Sequence, residues 1–498
     1  MMLWGMARTR LRVTTSSTLW ARTKNIYSTK GARYSSGSRS YPNPMRSIVI
    51  ASVISTPALW WLVNAKDDVT RDDAPHLESP PAEHWTVEPG PSEDQVTRII
   101  SQGAYSHLVR NVDGVIRYDG AQLPSNSPCE DHFTHGKFPS PWNEDNTWMT
   151  WGVFDGHAGA QTAELLKTEL MPFVRHSLSQ VKPLSDQESY SNELIQRAIA
   201  NAFLNLDDSI IKTALETSQS QCSLPEKVKK LAPAYSGSCA LLSLYDPTTS
   251  TLHVACTGDS RAVLGQKGPD GKWNAKPLSV DQTGKNEEEI ARLYKEHPGE
   301  EDIVKNGRVL GIMVSRAFGD ARWKWSLEFQ QDMQRKFFGP SPLTPRYPVR
   351  TPPYLTAEPV VTSTKLNTGK PAFLIMATDG LWDVLSNQQA VELVGKWLER
   401  GAEKQRSSNP DPGREMSDFS EFANEEDWKF EEKRTTVQDD NVAVHLVRNS
   451  LGGNHHELVA GRLAYDSPSS RRVRDDITVQ VVFFDAPELK WDKPLKFS

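Results

Sequence analysis

The chain has 498 residues, a net charge of −6, a hydrophobic fraction of 37% and a mean hydropathy of −0.55. That length exceeds one compact core, so a large domain with insertions and flanking segments is expected. The negative charge gives no general attraction to nucleic acid, and Cys129, Cys222, Cys239 and Cys256 form neither a CxxC pair nor a zinc spacing, which argues against a disulfide framework.

The first 66 residues carry arginines and lysines (Arg8, Arg10, Arg12, Arg22, Lys24, Arg33, Arg39 and Arg46 among them) and no acidic residue. With Ser and Thr filling the gaps, residues 1–46 match the composition of a mitochondrial presequence. Residues 47–65 form a hydrophobic segment whose uncharged run, SIVIASVISTPALWWLV, would reach about 25 Å as a helix, short of a bilayer core of about 30 Å. Two readings stand for it: an inner-membrane anchor, leaving the rest in the intermembrane space, or a second, cleaved part of the targeting signal, so that the matrix and the inner membrane or intermembrane space both stay open. Residues 66–96 are rich in Pro and acidic residues and read as a linker.

The globular region is expected over 97–486, with a tail at 487–498. Ala163, Leu166, Leu170 and Val174 recur at helical spacing, and a longer helical pattern runs through Ile195, Ile199, Ala202, Leu206 and Ile210. Strands are predicted at 147–154, 238–245, 251–257, 261–265, 372–377 and 477–484. Short strands broken by a few helices, without regular βαβ alternation, favour antiparallel sheets over a dinucleotide-binding fold. The polar stretches 266–353 and 401–440 read as surface insertions. Trp148, Trp151 and Trp382 read as core.

Four aspartates stand where apolar strand-like runs meet turns: Asp155 in WGVFDGHAG, Asp259 in VACTGDSR, Asp379 in LIMATDGLWD and Asp475 in VRDDITVQVVFF. An ionised carboxylate beside a buried strand is costly unless something compensates it. Four of them suggest strand ends converging on bound cations. Gly156 lacks a Cβ, so its carbonyl could approach such a cation closely. A single Asp-Gly pair signals only a turn; the set of four makes coincidental turns a poor account.

DGHAG, SGSCA, GDSRAVLG, SRAFGD, ATDGLWDVLSN and RDDITV occur in the order seen in metal-dependent protein phosphatases of type 2C, which the chain resembles over about 114–484. The resemblance implies an α+β fold: a β-sandwich of two antiparallel sheets flanked by helices. Its reaction is hydrolysis of phosphoserine or phosphothreonine in a phosphoprotein substrate. QLPSNSPCEDHF, NEEEIARLYKEHP, RAFGDARWKWSLEFQ and DDNVAVHLVRNSLGG are similar to the mitochondrial branch that acts on pyruvate dehydrogenase. The partner this implies is the phosphorylated E1 alpha subunit.

The resemblance also assigns roles. Asp155 bridges two divalent ions, with Asp379 and Asp475 on the first and the Gly156 carbonyl on the second. Oxygen-only ligation favours Mg2+ or Mn2+. Glu130 and Asp131 hold waters around the ions. Asp259, with Asp379 and Asp383, matches a weaker third metal position; a satisfied turn residue is the other reading of Asp259. His157 protonates the departing Ser or Thr oxygen; its other reading is a hydrogen-bonded structural histidine.

Most family members carry an arginine that grips the substrate phosphate at the position held here by Asn126, a substitution shared with the pyruvate dehydrogenase branch. It removes a bidentate cationic contact. Arg117 lies nearby in sequence as one candidate to compensate. Two functional rivals remain: the same chemistry on another mitochondrial phosphoprotein, and an inactive member serving as a regulatory binding module, which typically lacks metal carboxylates that this chain retains.

Overall fold

The computed structural model describes residues 91–143, 145–181, 191–367, 369–404 and 429–484. The expected presequence, the hydrophobic segment 47–65, the linker up to residue 90, much of the second insertion and the C-terminal tail lie outside them. Among the described residues no helix is long and apolar enough to cross a membrane. The described residues include a helix that straddles the expected boundary at 97. Ser92 and Gln95 form a reciprocal capping box that starts a helix at Glu93–Ser101 and places Val96 and Ile100 in the core.

The strands of the two large sheets are β1 (Tyr105–Leu108), β2 (Val115–Leu123), β3 (His132–Pro139), β4 (Thr147–Phe154), β5 (Ala240–Asp246), β6 (Thr251–Thr257), β7 (Arg261–Lys267), β8 (Trp273–Pro277), β9 (Val360–Lys365), β10 (Ala372–Ala377) and β11 (Ile477–Phe484). One sheet has the order β1-β2-β11-β10-β7-β8 and the other β9-β6-β5-β4-β3, with every pairing antiparallel.

Burial on both faces explains why the central strands read as unbroken apolar runs. Along β10, Phe373, Ile375 and Ala377 pack toward helices, while Leu374 and Met376 face the other sheet. In β5, Leu242 and Leu244 face helices, whereas Leu241 and Tyr245 lie between the sheets. A two-residue side-chain period therefore feeds three apolar layers at once. Helices Gln161–Ser179, Asn192–Gln219 and Leu224–Tyr235 cover the five-stranded sheet. Helices Glu93–Ser101, Asn387–Lys404, Val442–Leu451 and His456–Leu463 cover the six-stranded one, completing α-β-β-α layers. Trp148, Trp151 and Trp382 are all buried.

The stretch 266–353 is more than surface. It supplies β8 to the large sheet and gathers a small core of its own from Leu293, Ile303, Val309, Leu310 and Leu343, joined by Tyr354 and Leu355. It then sends Phe318–Gly319 against Gly237–Ser238. Its apolar positions are widely spaced, so no local periodicity announces them.

Arg117 belongs to the scaffold. Its Nε and Nη2 donate to the two carboxylate oxygens of Asp119 at 2.6 and 2.7 Å, both residues being buried. The guanidinium lies 5.4 Å from the Trp397 ring centroid, and Asp119 also accepts from the Val442 amide at 3.0 Å. Removing one partner leaves the other charge buried and uncompensated. Asp119→Ala should therefore lower stability by about 3–5 kcal/mol in urea unfolding of the full chain; a loss under about 1 kcal/mol would show that water or a neighbour replaces the carboxylate.

Candidate active site

The site forms where β4, β6 and β10 end. Asp155 follows β4 directly, and its carbonyl accepts from the Cys239 amide at 2.9 Å. Asp259 follows β6 after one glycine, and Asp379 opens the helical turn Asp379–Trp382 beyond β10. Carboxylate oxygens of Asp155, Asp259 and Asp379 all lie within 4.8 Å of one another. Burial first, and then Asp379, Asp131 and Asp259, push the Asp155 carboxyl well above its usual range. Burial, Asp259, Asp383 and Asp131 do the same to Asp379. Burial is also the largest influence raising Asp259.

Three such acids cannot all ionise together without positive charge between them. Their donor set is oxygen only, which fits Mg2+ or Mn2+ and disfavours a soft metal. Asp259, which the sequence left open between ligand and turn residue, belongs to this tight group. Asp383 stands to its side: burial raises its carboxyl, while Lys429 and Arg261 pull it down.

Glu130 and Asp131 approach from the loop before β3. Glu130 accepts from the Gly159 amide at 2.6 Å and from Asn126 Nδ2 at 3.0 Å. Asp131 is buried and accepts from the hydroxyls of Thr378 at 3.0 Å and Thr478 at 2.7 Å. Burial and Asp476 push its carboxyl up to about 7 against those hydrogen bonds. Gly156 is required here for a reason beyond access of its carbonyl. A Cβ at this position would lie 2.2 Å from the Glu130 carbonyl oxygen.

Asp475 is not part of the three-acid group. Its carboxylate is paired with the Arg471 guanidinium and accepts from the Asp476 amide at 2.6 Å. Asn126, expected at the substrate phosphate, is engaged with the loop itself: Nδ2 donates to Glu130 and, at 3.3 Å, to Asp476.

Two residues that matter here received no role from the sequence. Asp476 is buried, and its Oδ1 takes the Ser125 amide and, at 2.9 Å, the Asn126 amide. Its Oδ2 takes the Glu130 amide at 2.9 Å, so this one carboxylate fixes the whole 125–130 loop. The Asp475-Asp476 doublet at a strand start was the available signal, since successive side chains point opposite ways. The second is Asp320 in SRAFGD, whose Oδ2 lies 2.6 Å from His157 Nε2.

His157 is 30% exposed and Asp320 only 2%. Gly237 makes room for both, because a Cβ there would sit 2.2 Å from His157 Nε2 and 2.3 Å from Asp320 Oδ2. Asp320 adopts a left-handed backbone (φ 46°, ψ 39°), and its amide donates to the Ser236 carbonyl at 2.9 Å. One residue earlier, the Gly319 amide donates to Asp207 at 2.9 Å, and Lys324 holds the other oxygen of Asp207 at 2.6 Å. Burial alone would lower the His157 pKa. The charge and hydrogen bond of Asp320, helped by Asp259 and Glu130, outweigh it and raise the pKa.

The sequence profile of protein phosphatase 2C matches residues 124–410. A protein phosphatase 2C homolog of Schizosaccharomyces pombe is 41% identical over 430 residues, covering 84% of this chain and 92% of the relative. The mitochondrial [pyruvate dehydrogenase [acetyl-transferring]]-phosphatase 1 of Saccharomyces cerevisiae is 38% identical over 411 residues, covering 76% and 70%. The human protein of that name is 31% identical over 466 residues, covering 79% and 83%. The chain belongs to the protein phosphatase 2C family. It is a protein serine/threonine phosphatase, dependent on magnesium or manganese, and within the family it groups with the pyruvate dehydrogenase phosphatase branch.

The sign of the His157 shift is testable without metal. In Asp320→Asn the raising anion is gone while burial remains, so the imidazole should titrate at lower pH. Proton NMR of the chelator-treated protein should place the wild-type midpoint above the ordinary value of about 6.5 and the variant below it. An unchanged midpoint would mean that Asp320 does not set the protonation of His157.

Proposed function

We propose that this phosphatase acts in the mitochondrion on the phosphorylated E1 alpha subunit of pyruvate dehydrogenase, using two divalent ions and a weaker third. The observation that carries the chemistry is the oxygen-only group of Asp155, Asp259 and Asp379 beside a histidine hydrogen-bonded to Asp320, which raises its pKa. Asp155 would bridge the ions, with Asp379 and Asp475 on one and the Gly156 carbonyl on the other, and with Asp259 and Asp383 completing the third position. When bound, magnesium or manganese lowers the pKa of the attacking water and neutralises phosphate charge.

The protein's own residues do the rest. Glu130 and Asp131 orient water through carboxylates already fixed by Asn126, Gly159, Thr378 and Thr478. Water adds to phosphorus as the bond to the Ser or Thr oxygen breaks. His157 passes its proton to that departing oxygen and is left neutral beside Asp320. Asp320 favours the protonated form from which that proton is given.

The substrate assignment draws on the names of the mitochondrial relatives and on the basic, acid-free N-terminal composition. The full chain and Asp155→Asn would be given phosphorylated E1 alpha and an unrelated phosphoprotein, with Mg2+, with Mn2+ and with chelator. Metal-dependent phosphate release should fall about 100-fold or more in the variant, the scale of losing one electrostatic stabiliser of the transition state. Faster turnover of E1 alpha than of the unrelated protein is expected. Equal turnover would redirect the substrate to another phosphoprotein, and no release with either metal would favour a binding module.

A further inference from the structure

The type 2C resemblance leaves a gap in the proposed mechanism, because the position where most members place a phosphate-gripping arginine holds Asn126. Its amide is neutral and already bonded to Glu130 and Asp476. Arg117 is buried against Asp119 and Trp397 and does not substitute. Three further cations near the site are likewise engaged. Arg261 forks onto Asp281 at 2.9 and 2.6 Å, Arg316 onto Glu289 at 3.0 and 2.7 Å, and Lys324 holds Asp207.

We infer that Arg471, on the segment leading into β11, is the residue that grips the substrate phosphate. Three observations converge on it. First, its guanidinium contacts the carboxylate of Asp475, next to the Asp476 that fixes the 125–130 loop, and its charge acts on Asp131 inside the site. Second, it is 43% exposed, so an incoming phosphoryl group can reach it. Third, its segment is latched onto the residues whose cation is missing. Ser470 Oγ donates to the Ser125 carbonyl, and Ser125 Oγ donates to the Arg474 carbonyl at 2.9 Å. The Asp476 carboxylate takes the Ser125 and Asn126 amides. Arg471 therefore enters from beside position 126, from a different part of the chain.

Its neighbours are less suited. Arg472 is exposed, and Arg474 has Nε and Nη1 buried. A guanidinium offers parallel N–H donors that match a carboxylate and a phosphate equally well. The contact with Asp475 is of the kind Arg471 would make to a phosphoryl oxygen once Asp475 is otherwise engaged.

This inference rests on the proposed function, and its test separates the two. Arg471→Gln and Arg471→Lys in the full chain would be compared with wild type in three measurements: KM and kcat on a phosphopeptide, the rise in melting temperature caused by inorganic phosphate with Mn2+ present, and Mn2+ affinity by calorimetry. Arg471→Gln should raise KM and weaken inorganic phosphate about 10-fold, the scale of a lost charge-assisted hydrogen bond, with kcat and Mn2+ affinity within about threefold. Arg471→Lys should recover part of the phosphate effect, since it keeps the charge and loses the fork. Unchanged phosphate affinity in both variants would overturn the inference. So would a loss that simply tracks Mn2+ affinity, which would make Arg471 only the counter-ion of Asp475. A wild type without phosphatase activity would instead sink the proposed function, while the phosphate-induced melting shift would still report on Arg471.

Discussion

Mutual repulsion among buried carboxylates is the constraint around which this molecule is organised. Asp155, Asp259 and Asp379 lie within 4.8 Å of one another. Left alone, such a group would relax by moving apart or by taking up protons. The sandwich resists the first at the backbone level, and the raised pKa values of all three acids express the second. Each acid follows a strand packed on both faces, so the strand ends are held by three apolar layers rather than by the acids' own contacts. Stability is stored away from the site, and the site receives geometry.

Around that centre, each further acid has its own form of compensation. Asp131 is held by two threonine hydroxyls, Glu130 by an amide and a side-chain amide, and Asp476 by three backbone amides. The last is a structural anion that shapes a loop and offers nothing to a ligand. Adjacent aspartates just before one strand thus have different partners: Asp475 pairs with Arg471, while Asp476 ties down the 125–130 loop. His157 illustrates the opposite balance, where a single buried anion reverses what burial would do to an imidazole.

Much of this was legible from sequence. The strands at 147–154, 251–257, 372–377 and 477–484 coincide with the observed ones because apolar runs of that length, bounded by turns, are what doubly buried strands require. The helices at Gln161–Ser179 and Asn192–Gln219 were visible in their spacing. The acids at strand ends announced themselves as charge against an apolar background. What stayed hidden depends on contacts across long sequence distances. Asp320 meets His157 across 163 positions, and nothing in SRAFGD states where its carboxylate points. The roles of Asn126 and Arg117 could be settled only by seeing their partners. The small core within 266–353 was missed because its members are spread through polar sequence.

The place of β11 in the larger sheet has a consequence for the order of assembly. This strand, the last described, lies between β2 and β10, and Asp476 at its start reaches back 351 positions to the Ser125 amide. Until β11 inserts, β2 has no partner joining it to β10, and the 125–130 loop lacks its anion. A chain emerging from its N-terminus would therefore hold nearly all its acids yet remain without an assembled site until the final strand docks. Closing such distant contacts is the slow part of building a sheet. Catalytic competence would then report completion: a truncated or half-threaded chain is silent by topology rather than by inhibition.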